Sequence, residues 1–326
     1  MTPIVSFIIP VRNGAAMLER CLRSIAANDY PRDRVEIVVA DNGSTDGSRA
    51  VAEAAGAVVL ALPGLRVGEL RNRAANAARG QVLAFIDADH EIRPEWTRVA
   101  VDALAEPGVR GAGALCHSPI PGTWVQRQYD ALRGHSRGRR DVEWLGAGNL
   151  AICRETFDAL GGFDTRLDTC EDVDLCARLR SAGHRLVSDD RLYNTHFGDA
   201  RTLRELFVGE LWRGRDNARV TFRSPLSLRS AISLAIPVVD LLLLAAAALG
   251  LVSLRGSFAL AMAAASLLGV IALAGLRAWS KAGTRGLTLL TACQLLAVAS
   301  VYDLGRALAL VARAGHNVRH SRPAES

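Results

Sequence analysis

Hydrophobic and polar positions follow two alternating rhythms along the first part of the chain. Val5–Val11 is a continuous apolar run carrying Pro10 near its end, as expected of a strand buried on both faces. Ala15–Ala27 switches to helical spacing, with Met17, Leu18, Cys21, Leu22 and Ile25 on one side. Val35–Ala40, Ala57–Leu62 and Val82–Ile86 read as further strands, separated by helices over Asp46–Ala55 and Gly68–Ala78. Asp46 or Ser44 is the expected N-cap of the second helix. The β-α-β-α-β-α-β order predicts parallel strands joined by right-handed crossovers, a doubly wound α/β sheet. Ligands in such sheets sit beyond the carboxyl ends of the strands, which directs attention to Arg12–Asn13, Asp41–Asp46 and Asp87–Asp89.

Residues 110–200 are less regular, with a helix end, a Gly183 turn and a strand over Ser181–Leu192. Leu203–Arg219 reads as one polar helix carrying Trp212. Farther on the pattern changes. Ala231–Leu254 is apolar except for Pro237 and Asp240, Ser257–Leu276 carries no charge, and Leu287–Val311 is broken by Asp303 and Arg306. Stretches of this length predict membrane spans, with the third expected to be re-entrant or interfacial. Asp240, Asp303 and Arg306 are costly in a bilayer and are expected to pair with one another. Arg223 and Arg229 before the first span, and Arg277, Lys281 and Arg285 after the second, favour a hairpin with both ends cytoplasmic, Arg255 alone marking the turn. A full crossing by the third stretch would carry Arg313, Arg319 and Arg322 outside. The expected division is a catalytic domain over 1–225, a membrane region over 226–313 and a basic tail over 314–326.

The formal charge of +6 suits an anionic membrane surface or a phosphate-bearing ligand. No zinc-finger spacing, aromatic RNA-binding motif or basic heptad array is present, so nucleic acid is not an expected partner. The six cysteines form no CxxC pair and read as reduced thiols. The Arg137–Arg140 run is expected to be a mobile loop.

Three clusters carry candidate chemistry. Asp87-Ala88-Asp89 follows a strand, where two carboxylates can turn toward one hard divalent cation gripping a diphosphate; a solvated loop is the plainer reading. Asp41 to Ser48, DNGSTDGS, can hydrogen-bond a base edge and ribose, although Asx-turn and capping chemistry fit the same composition. Glu171-Asp172 opens a helix whose dipole favours the anion, which suits a general base; acidic first-turn capping is the alternative, and Asp174 with Arg178 forms an ordinary i,i+4 pair.

In order, FIIPVRNG, VVADNGSTDGS, RNRAANAARGQVLAFIDAD, GAGNLAICRETFDALGGFD and EDVDLCARLRSAGH resemble the family-2 inverting glycosyltransferases of GT-A fold, over about residues 4–220. The resemblance implies that Pro10 and Arg12 line a nucleotide pocket, that Asp41 bonds the base or ribose and that Asp87 faces the sugar or ribose. It implies that Asp89 binds a divalent metal (Mg2+ or Mn2+), with His196 a further ligand, and that Asp172 is the catalytic base with Glu171 on the acceptor side. The partner implied is a nucleotide-sugar donor; the apolar spans add a cell (inner) membrane holding a multi-pass chain, and with it a lipid-linked or glycan acceptor. The processive synthases' QxxRW is replaced by Leu211-Trp212-Arg213-Gly214-Arg215, which points to single-sugar transfer; Arg213 is expected to clamp a diphosphate or lipid phosphate, or to lie against the membrane. Two rival readings are a catalytically silent membrane scaffold and a sugar nucleotidyltransferase. Intact acids at both motifs oppose the first, and PVRNGAAM, which lacks a Gly-rich phosphate loop, opposes the second.

Overall fold

The computed structural model describes residues 2–135, 137–223, 228–253, 256–282 and 288–312. Arg255, Arg285 and the basic tail, on which the expected orientation partly depends, lie outside them.

The first half-sheet follows the hydrophobic pattern closely. β1 (Val5–Val11), α1 (Ala15–Ala26), β2 (Val35–Asp41), α2 (Ser48–Ala54), β3 (Val58–Ala61), α3 (Val67–Ala77) and β4 (Val82–Ile86) alternate as expected. Every β4 side chain is buried, and so is every β1 side chain except Pro10, because helices cover both faces. Leu18, Cys21, Leu22 and Ile25 of α1 form the buried stripe. β1 pairs in parallel with β2 on one side and β4 on the other, so the winding reverses at β1. The crevice at that reversal is where a doubly wound sheet accepts a ligand.

Beyond β4 the chain forms β5 (His90–Ile92), α4 (Trp96–Leu104), β6 (Val109–Gly113), α5 (Trp124–Arg133), β7 (Arg139–Asp141), β8 (Asn149–Cys153), α6 (Arg154–Ala159), α7 (Glu171–Ser181), β9 (Arg185–Asp189) and β10 (Asn194–His196). The main sheet runs β3-β2-β1-β4-β8-β6-β9-β7, and β10 pairs with β5 in a separate two-stranded sheet. β8 enters antiparallel to both β4 and β6, and β6 then pairs in parallel with β9, so the sheet is mixed. Arg139 and Arg140, expected in a mobile loop, instead belong to an exposed strand over 139–141 paired with β9. Arginines on that outer strand discourage pairing with another chain.

The expected helix over 203–219 is two helices, α8 (Leu203–Arg213) and α9 (Asn217–Thr221), interrupted at Gly214. α10 (Leu228–Ser253), α11 (Ser257–Ala282) and α12 (Leu289–Ala309) follow. Among the described residues, Ser230–Ser253 and Ser257–Lys281 are long and apolar enough to cross a membrane. Their outer leucines are bare, Leu242 at 64% and Leu260 at 67% exposure. α12 differs. Leu295, Val298 and Ala299 pack with Leu206 of α8, Val125, Tyr129 and Leu132 of α5, and Ala274 and Ala278 of α11. Its charges do not pair with each other as expected. Asp303 meets Arg277 at 2.7 Å, and Arg306 meets Glu210 of α8 at 2.6 Å. α12 therefore ties the apolar hairpin to the α/β body.

Candidate functional site

The loops after β1 and β2 are stitched together. The Asn13 backbone N–H donates to Ser44 Oγ (3.0 Å), and Thr45 N–H donates to Asn13 Oδ1 (2.7 Å). Asp41 is buried at the end of β2, where one carboxylate oxygen accepts the Ser44 N–H at 3.0 Å. Gly43 has φ +75°, which lets the loop turn back there. The second helix starts at Ser48, later than expected, with Gly47 at its N-cap. Asp46 accepts the Ser48 N–H (3.0 Å) and also the Ala15 N–H (3.1 Å) at the start of α1, so one carboxylate serves two helix ends. Pro10 is half-buried and Arg12 is exposed beside this loop pair.

At the end of β4, Asp87 and Asp89 take different partners. Asp87 accepts from Arg71 of α3 at 2.7 Å. Asp89 lies 3.3 Å from His196 Nε2 and 3.8 Å from His90 Nε2. The three donor groups lie within 4.8 Å of one another. A Cβ at Gly198 would collide with the Asp89 carboxylate, so glycine keeps this cradle open. His196 Nδ1 donates to Asp199 at 2.7 Å, which turns Nε2 toward Asp89. Asp199 is in turn held by Arg133 and by the Ser118 hydroxyl at 2.6 Å. His90 Nδ1 lies 2.5 Å from the Gly148 carbonyl, so Nδ1 carries the proton and Nε2 faces Asp89. Burial favours a neutral His196, but the Asp89 and Asp199 carboxylates outweigh it and push the ring up to about 9. Burial and the neighbouring His196 hold His90 below its ordinary value. Two imidazoles and a carboxylate converging on one point, with the outer nitrogens anchored, fit a divalent cation.

Glu171 and Asp172 begin α7, after Cys170 in a left-handed conformation (φ +61°). Arg71, 4% exposed, donates to Glu171 at 2.6 Å while holding Asp87. Asp172 accepts the Val173 N–H (2.7 Å) and the Ala147 N–H (3.3 Å). Burial pushes Glu171 up to about 7; the adjacent Asp172 charge adds to the rise and Arg71 opposes it. Burial also raises Asp172, against the pull of Arg71 and the two N–H groups. Asp174 pairs with Arg178 at 2.8 Å, the expected i,i+4 contact.

The 146–149 segment closes the site between these clusters. Ala147 touches Asp172, and the Gly148 carbonyl receives His90. A Cβ on Gly148 would lie 2.6 Å from His90 Cε1 and 2.7 Å from Asp87 Oδ2. Asp41, Asp87, Asp89, His196, Glu171 and Asp172 thus stand around the sheet's winding reversal. Arg213 does not join them. Its guanidinium is bound to Glu210 (2.8 Å), whose other oxygen holds Arg306 and which also accepts the Tyr129 hydroxyl (3.0 Å). Sequence reasoning missed Arg71, His90, Asp199 and Gly148. The RNRAAN and GAGN strings contain two of them, but their partners lie far away in the chain.

Residues 6–154 match Glycosyl transferase family 2. The chain is 28% identical over 246 residues to Glycosyltransferase AglE of Haloferax volcanii, covering 72% of this chain and 79% of that protein. It is also 28% identical over 235 residues to the pre-mycofactocin glycosyltransferase of Mycobacterium tuberculosis, covering 68% of this chain but 48% of that longer protein. Among solved structures, a mannosyltransferase from Pyrobaculum calidifontis in complex with GDP-Man and Mn2+ superposes with TM-score 0.61 at 22% identity, over 93% of this chain and 88% of that one. This last likeness establishes the GT-A fold.

Proposed function

From the match of residues 6–154 to Glycosyl transferase family 2, we propose that the chain transfers a sugar from a nucleotide-diphosphate sugar to a hydroxyl acceptor with inversion at the anomeric carbon. The observation that carries this reading is the double tie between the two acid clusters. Arg71 joins Asp87 to Glu171, and the 146–148 segment joins His90 to Asp172.

Asp41 takes the base or ribose, Pro10 and Arg12 line the nucleotide pocket, and Asp87 orients the sugar or ribose. Asp89 and His196, with His90 as a third ligand, hold a divalent cation, Mg2+ or Mn2+. When bound, that cation neutralises the diphosphate and stabilises its departure. Asp172 accepts the proton of the acceptor hydroxyl as its oxygen attacks the anomeric carbon and the bond to the diphosphate breaks on the opposite side. Its raised affinity for protons makes it a better base than an exposed carboxylate. Glu171 fixes the Arg71 fork behind it.

We assign catalysis to residues 1–225, and membrane attachment to 226–313 with a basic tail over 314–326. The bare leucines of α10 and α11 support membrane insertion. Arg223 before the first span and Arg277 and Lys281 after the second favour the cytoplasmic side of the cell (inner) membrane for the catalytic part, and a lipid-linked or cell-envelope acceptor fits that placement. The test is Asp172→Asn, assayed for release of nucleoside diphosphate from a panel of nucleotide-sugars and for donor binding. Transfer falls by about 10²–10⁴-fold with donor binding kept. Near-normal turnover removes Asp172 as the base.

A further inference from the structure

The three residues that precede the acids of α7 are all fastened to one turn. Asp216 stands at the N-cap of α9, yet its side chain does not cap that helix. One of its oxygens instead accepts the N–H of Asp168 at 2.8 Å and that of Thr169 at 3.1 Å. The Asp216 N–H in turn donates to Thr169 Oγ1 at 3.3 Å. The Cys170 thiol donates to the Arg213 carbonyl, at the end of α8, at 3.6 Å. From the opposite side Arg66 holds the Asp168 carboxylate and donates to the Thr165 carbonyl at 3.2 Å.

Cys170 follows this clamp at φ +61° and ψ +18°, a left-handed conformation that crowds the Cβ of any residue but glycine. Such a backbone persists only where its surroundings impose it. Here it turns the chain into α7 so that Glu171 meets Arg71 and Asp172 meets the Ala147 N–H. A Cys170 relaxed out of that region would swing the first turn of α7 and carry both carboxylates with it. A carboxylate at a helix start ordinarily bonds the N–H groups of its own helix. That of Asp216 is spent on the neighbouring loop, and as an ionised acceptor it grips the two N–H groups more strongly than a neutral oxygen does.

We propose that Asp216 is a positioning residue for sugar transfer: it holds Cys170 left-handed and thereby sets where the Asp172 carboxylate stands. The inference rests on Asp172 being the base. The clamp lies where the α/β body passes into the apolar helices. Asn217, next in the chain, donates to the Ser233 carbonyl of α10 at 3.4 Å, an oxygen left free because Pro237 has no N–H to offer it.

The test uses the full chain in detergent and the nucleotide-sugar that it turns over, reading kcat and donor KM from nucleoside-diphosphate release beside a thermal melt. A reacting group displaced by ~1 Å costs about 10²-fold, so Asp216→Ala lowers kcat by roughly 10–100-fold while donor KM stays within about twofold. Asp216→Asn, whose amide oxygen still accepts both N–H groups, recovers part of the loss. Cys170→Val, whose branched Cβ is excluded from the left-handed region, reproduces it. The double variant of Asp216→Ala with Cys170→Val is no slower than the slower single one, because both release the same turn. Parental kcat in a folded Asp216→Ala chain overturns the proposal, as do losses that multiply in the double variant. Should Asp216→Ala fail to fold, Cys170→Val decides, and parental kcat there also overturns it. Asp172→Asn, run alongside, separates the two readings: an inactive Asp172→Asn with a fully active Asp216→Ala removes the clamp alone, whereas near-normal turnover in Asp172→Asn removes the base and the clamp with it.

Discussion

Arg71→Met is the most direct perturbation of the proposed mechanism, because it removes one charge while nearly preserving volume. The guanidinium is 4% exposed and contacts Asp87 at 2.7 Å and Glu171 at 2.6 Å. Breaking the buried Arg71–Glu171 pair costs about 3–5 kcal/mol, since Glu171 stays desolvated. For a domain of this size that is a fall in Tm of roughly 6–20 °C. The same charge opposes the rise of both Glu171 and Asp172. Asp172 serves as a base only when ionised, so raising its pKa carries the acid limb of kcat/KM to higher pH. Loss of the Arg71 charge leaves burial less opposed and moves that limb to higher pH. At neutral pH the variant is slow, and part of the rate returns in alkaline buffer. Arg71→Lys keeps the charge but not the fork, and its limb falls between the two. The assay is a pH profile of nucleoside-diphosphate release alongside a thermal melt. A folded Arg71→Met chain whose acid limb and melting temperature match the parent refutes the bridge.

Asp199→Asn removes the anchor on His196 Nδ1 without touching the metal-facing nitrogen, and divalent-ion affinity at Asp89 falls by about 10–100-fold in calorimetry. Gly148→Ala places a methyl against His90 and Asp87, so donor affinity and turnover both drop and the melt falls by the cost of overpacking, about 1–3 kcal/mol; an active variant means the 146–149 segment does not close the site. Glu210→Ala leaves Arg213 and Arg306 facing each other without their shared carboxylate and costs about 3–5 kcal/mol, read as earlier thermal unfolding in detergent. An unchanged melt there shows that α12 is held by apolar packing alone.

Residues close in sequence made much of this protein legible. Strand and helix periods between Val5 and Ile86 depend on neighbours within a few positions, so they read correctly to within a residue or two. The acids of DAD and ED stand out for the same reason, since carboxylates after a strand and at a helix start are local features. Pairing across distance was not legible. Nothing near Asn149 announces that β8 slots antiparallel between β4 and β6, and the Arg137–Arg140 run shows only charge, whereas its strand exists because β9 offers a free edge. Arg71 meets Glu171 a hundred positions away, and Arg306 meets Glu210 across ninety-six. A buried charge reveals its role only through the partner that makes its burial tolerable, and that partner is chosen when the chain packs.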